Sequence, residues 1–91
     1  MKKAYILVYS DKLGTREEVK NCLDNIPEVS TWRYDMPNSF YIISEGNANE
    51  IAQAIHEFTG KSRFLVLEIT SNRQGWLPKE TWYLINNKNH K

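Results

Sequence analysis

The chain is short of the residues that most often carry catalysis or cross-link a fold. A single cysteine, Cys22, stands among 91 residues. That excludes an intrachain disulfide, leaves a thiolate zinc site without a second soft ligand, and fits a reducing compartment. The 2 histidines, His56 and His90, have no obvious acid or metal partner and read as solvated side chains. Charge of one sign is missing too: Lys+Arg 12 and Asp+Glu 11 leave a formal net charge of +1, with no long run of either. General attraction to nucleic acid or to an anionic membrane is therefore not expected. Apolar runs are short. Ala4 to Tyr9 lacks a signal-peptide cleavage site and falls far below the ~20 residues of a spanning helix. The expectation is a cytoplasmic chain with no membrane contact.

What is present is globular. Hydrophobic residues make up 41%, charged 25% and aromatic 12%, a mix that supports a core, and the length suits one domain over residues 1–91. Ala4-Tyr5-Ile6-Leu7-Val8-Tyr9 reads as a central strand covered on both faces. Thr15-Arg16-Glu17-Glu18 has the form of a capping box, and Val19, Cys22, Leu23 and Ile26 then recur with helical spacing until Pro27. Cys22 is placed in the core by that stripe. Val29 to Tyr34 and Phe40 to Ser44 read as a hairpin around Asp35-Met36-Pro37-Asn38-Ser39. Asn47 and Glu50 repeat the cap, and Ile51, Ala52, Ile55 and Phe58 form the second buried stripe up to Gly60. Phe64 to Ile69 is the fourth strand. Leu77-Pro78-Lys79-Glu80 suggests a short terminal helix with Pro78 at its first position and Trp82 and Ile85 inward, before a frayed tail over 86–91.

The order β-α-β-β-α-β predicts an α+β fold. The expected form is a ferredoxin-like, four-stranded antiparallel sheet with two helices on one face plus the short C-terminal helical segment. Counting by twos puts Tyr5, Leu7 and Tyr9 on one side of the first strand, and Phe64 and Val66 on one side of the fourth. The central strands are thus apolar on both faces, and an uncovered apolar face calls for the terminal segment, a second copy, or both. Tyr5 and Tyr9 are candidates for binding on such a face. Stacked bases on exposed tyrosines are one use of this topology, but the basic-Gly-aromatic signature of RNA-recognition domains is missing. The Arg73-Gln74-Gly75-Trp76 loop is the first place to expect binding, because it sets a cation, an amide and an indole on one short polar connection. Its bland alternative is Trp76 packed on the core and Arg73 in solvent. Glu68 reads as a solvent-facing strand end, with an ion pair to Arg63 or Arg33 as the other option.

Tyr5-Ile6-Leu7-Val8-Tyr9-Ser10-Asp11, Ser30-Thr31-Trp32-Arg33-Tyr34, Arg63 to Ile69 and Gly75-Trp76-Leu77-Pro78 together carry a resemblance. The chain resembles small bacterial SinR-like proteins, which are distantly similar to the CRISPR-associated adaptation nucleases and share their ferredoxin-like fold. In that group an aspartate directly follows the first strand's aromatic and holds a divalent metal at a dimer interface. Here Ser10 follows Tyr9 and the carboxylate comes one place later, at Asp11. Adjacent strand residues point to opposite faces, so Asp11 can substitute only if the strand has already ended.

Two readings follow. The first is a non-enzymatic interaction module, homodimeric and binding a partner protein, with no catalytic residue, metal or cofactor. The second is a divergent metal-dependent nuclease or nucleic-acid-binding relative that uses Asp11 with Mg2+ or Mn2+ and basic residues such as Lys12, Arg16 and Arg73.

Overall fold

Local chemistry decides where the elements begin. The computed structural model describes residues 1–60 and 62–90. The Thr15 hydroxyl accepts from the Glu18 N–H at 3.1 Å while the Glu18 carboxylate accepts from the Thr15 N–H at 2.9 Å, and α1 (Arg16–Asp24) starts there. Asn47 and Glu50 make the same reciprocal pair at 2.8 and 2.9 Å and open α2 (Ala48–Thr59). The strands are β1 (Lys3–Tyr9), β2 (Val29–Arg33), β3 (Ser39–Ser44) and β4 (Phe64–Glu68), and α3 (Lys79–Asn87) closes the sequence of elements. A 3-10 turn, Asp11–Leu13, links β1 to α1.

The strands form one 4-stranded sheet in the order β2-β3-β1-β4, with every neighbouring pair antiparallel. The chain is therefore an α+β protein with an open antiparallel sheet. Tyr5, Leu7, Tyr9, Phe40 and Ile42 pack under Val19 and Leu23 of α1 and Ile51 and Ile55 of α2. On the other face Ala4, Tyr41 and Ile43 meet Leu84 and Ile85 of α3. α3 is anchored by polar groups as well as apolar ones. The Thr81 hydroxyl donates to Asp35 at 2.6 Å and accepts from Arg33 Nε at 2.7 Å, and Tyr41 donates its phenol proton to the same Asp35 carboxylate at 2.9 Å.

Several sequence expectations are corrected here. Tyr5 and Tyr9 are not on the open face: both are buried, at 1% and 5% exposure, beneath α1 and α2. Phe58, expected in the buried stripe of α2, is 55% exposed, because it falls beyond the last turn that reaches the sheet. The terminal helix continues through Asn87, where fraying was expected from 86. Lys88 ends it in the left-handed conformation, φ 59, with its N–H on the Leu84 carbonyl at 2.8 Å, a C-terminal stop without glycine. Pro78 is the cap rather than the first helical residue. Among the described residues no helix is long and apolar enough to cross a membrane.

Candidate functional site

The face that carries α3 is only partly covered. The register aligns Ile6 with Tyr41 and Leu67, and Val8 with Ser39 and Leu65, so α3 sits over the first strands of that surface and stops short of β4. Leu65 and Leu67 are left 61% and 44% exposed. Beside them the chain leaves β4, crosses the sheet end as an irregular segment and returns as α3. Between that segment and the sheet runs a groove of about 360 Å³, lined by Ile6, Met36, Tyr41, Trp76, Trp82 and Ile85 among others. Its polar rim is the Arg73-Gln74 end of the segment.

The segment is held at one end and free at the other. Arg73 is half-buried: one guanidinium nitrogen donates to the Thr70 carbonyl at 2.8 Å and the other donates to the Asn86 side chain. This ties the loop to the last turn of α3, where carbonyls and a cation attract. The Gln74 side-chain oxygen, Oε1, accepts from the Gly75 N–H at 2.9 Å. Trp76, two residues on, is 97% exposed. The bland alternative for this loop is thus reversed. Arg73 is engaged and Trp76 is not packed on the core. An indole held almost wholly in water beside an apolar groove is unusual, because Trp has much apolar surface to bury.

Tyr5 and Tyr9 are placed away from this groove. The Tyr5 hydroxyl donates to the Gly46 carbonyl at 2.7 Å. Burial raises its pKa, helped by the negative charges of Glu68 and Glu50. Burial also raises that of Tyr9, against a lowering by Arg16. Both are core residues with satisfied or enclosed phenols, so of the expected binding set only Arg73, Gln74 and Trp76 come together. Sequence reading missed Ile6, Met36, Tyr41 and Trp82. The signal available was the parity of β1 and β3, since Ile6 and Tyr41 share the face opposite Tyr5.

Asp11 lies elsewhere. The strand has ended at Tyr9, so Asp11 opens the 3-10 turn, where its carboxylate accepts from the Asn38 side-chain amide at 2.7 Å. The cleft around it, about 310 Å³, is lined by Tyr9, Gly14, Thr15, Arg16 and Asn38, with no second carboxylate among the described residues. Its cation, Arg16, stacks over Tyr34 at 4.2 Å from the ring centroid. Among the described residues no three His, Cys, Asp or Glu side chains gather as a metal-ligand group. Glu68 faces solvent, and Arg33 pairs with Glu80 at 4.0 Å and with Thr81 rather than with Glu68. Burial pushes the Cys22 thiol up to about 11, which suppresses the thiolate a nucleophile requires.

No family model, no curated protein and no solved structure matches the chain.

Proposed function

We propose that this chain is a non-enzymatic interaction module, homodimeric and cytoplasmic, that binds a partner protein through Trp76 and the groove beside it. The observation that carries the reading is the 97% exposure of Trp76 next to Ile6, Met36 and Trp82. Exposed aromatics beside apolar pockets with a polar rim are the anatomy of protein hot spots. Arg73 preorganises the segment, which lowers the ordering cost of binding. The strand order and the α1/α2 face support a ferredoxin-like assignment, and the SinR-like resemblance points the same way. No cofactor enters this reading.

The competing proposal is a divergent nuclease working at Asp11 with Mg2+ or Mn2+. Its cleft offers one carboxylate, already hydrogen-bonded to Asn38, and a hard divalent cation needs further oxygen ligands from a second copy or from substrate.

Affinity purification with quantitative mass spectrometry, run in parallel on the wild type and Trp76→Ala, tests the first reading. A specific polypeptide should be retained by the wild type, lost with the variant, and bound again by the purified proteins, with an affinity drop of about thirtyfold for a Trp hot spot. Equal retention by both forms defeats the assignment of the site. Incubation with RNA and duplex DNA, with and without Mg2+ or Mn2+, tests the second. Cleavage abolished by Asp11→Ala would replace the first reading with the nuclease.

A further inference from the structure

The two edges of the sheet are finished differently. β2 has a register shift between Val29 and Thr31, a bulge of the kind that discourages strand addition. β4 has no such guard. Its pairing with β1 runs unbroken from Tyr5↔Glu68 to Tyr9↔Phe64, and Phe-Leu-Val-Leu-Glu contains neither Pro nor Lys.

Backbone geometry identifies the groups on that open edge. Ser10 donates its N–H to the Arg63 carbonyl at 3.0 Å, and Ile69 donates to Ala4 at 2.8 Å. Counting inward by twos, Leu65 and Leu67 also turn their N–H and C=O groups toward β1, and Phe64, Val66 and Glu68 turn theirs outward. No backbone bond among the described residues reaches those three from the outer side.

We propose that β4 pairs antiparallel with β4 of a second copy, about a two-fold axis through Val66, joining two 4-stranded sheets edge to edge. This rests on the homodimeric reading above and assigns its interface. A two-fold axis normal to the sheet keeps each side-chain face on its own side, so residues of the same parity must oppose one another. Centred on Val66, Phe64 opposes Glu68 of the second copy, and every outward N–H of Phe64, Val66 and Glu68 meets an outward carbonyl.

Side chains make the second copy a better occupant than an unrelated strand. On the α3 side Leu65, 61% exposed, opposes Leu67 of the other copy, 44% exposed, and the pair recurs at the other end. The two Glu68 positions stay about 13 Å apart along the strand, so the pairing sets no like charges against one another. A foreign strand can satisfy the backbone but not this reciprocal placement of leucines. The Trp76 grooves of both copies remain open on one common face.

Sedimentation over a concentration series, with Leu65→Lys and Val66→Pro as variants, tests the interface. Leu65 is exposed, and the Val66 N–H points outward, so proline there removes a donor that no intrachain bond uses. The wild type should dimerise in the micromolar range or weaker, as small interfaces do. Both variants should weaken association about tenfold or more with an unchanged circular dichroism spectrum. A dimer that survives both variants overturns the β4 interface and leaves the homodimeric reading standing. A wild type that stays monomeric at every concentration overturns both. Amide exchange on the wild type covers a variant that fails to fold. Protection at Phe64, Val66 and Glu68 should rise with protein concentration while that at Leu65 and Leu67 stays constant, and flat protection at the first three rejects the pairing.

Discussion

Thr81 shows how one hydroxyl can hold a helix in place. It is fully buried, and it bridges the Arg33 guanidinium and the Asp35 carboxylate. Thr81→Val keeps the shape and removes the bridge, leaving a partly buried carboxylate and cation without that partner. The expected loss is about 1–3 kcal/mol in urea unfolding, well above what a surface substitution costs. Trp76→Ala is the contrast: at 97% exposure it should change stability by no more than ~0.5 kcal/mol while abolishing partner capture. Acid–base chemistry separates the buried groups. Burial, then the bond to Asp35 and its charge, raise the Tyr41 phenol above its ordinary 10.0, opposed by Arg33, and burial alone raises Cys22 from 9.0 to about 11. Both groups bind their protons more tightly when folded. Their contribution is fully present below the unfolded values and is lost as pH rises through the folded ones. Unfolding midpoints should therefore be flat from neutral pH to about pH 9 and fall above it, and Cys22→Ala should flatten the early part of that fall.

At the scale of elements, the two capped helices were the most legible parts of the chain. Thr15 with Glu18 and Asn47 with Glu50 specify where α1 and α2 start through bonds that span only a single turn, so nothing distant can change them. Thr15→Ala should cost about 1 kcal/mol by chemical denaturation, the usual value for a lost N-cap. Ends were less legible than starts. Phe58 matches the period of α2, yet whether a residue at that height finds a sheet beneath it depends on where β4 runs. The stop at Lys88 had no sequence signal either, since a lysine in the left-handed conformation is allowed by the bond from its N–H to Leu84 rather than by its own preference. β4 is the reverse case: its hydrophobic composition was evident, and its position at an unguarded edge was not.

For the whole molecule, the decisive question is which face of the sheet each half of the pattern takes. β1 is apolar at both parities, Tyr5-Leu7-Tyr9 and Ala4-Ile6-Val8, so periodicity groups these residues correctly without saying which set lies beneath α1 and α2. That ambiguity makes the tyrosines candidates for the binding face, and the fold buries them. The binding groove needed more still. It combines Ile6 from β1, Met36 from the hairpin turn, Tyr41 from β3 and Trp82 from α3 with Trp76, residues from separate elements that meet only when α3 docks. Arg73, Gln74 and Trp76 were legible because a cation, an amide and an indole sit together on one loop.

By itself, then, the sequence determined what is local: the starts of α1 and α2, the apolar parity of the strands, the core position of Cys22 and the polar loop with its tryptophan. These depend on bonds and contacts within a few residues, which composition and spacing encode directly. Tertiary structure alone decided that Tyr5 and Tyr9 are core, that Asp35, Thr81, Arg33 and Tyr41 form one network, that the cleft at Asp11 is lined by no second carboxylate among the described residues, and that Trp76 remains in water while β4 ends the sheet. Each of those depends on which surfaces meet across the sheet, and two nearly equivalent apolar faces leave that choice to the packing of the complete chain.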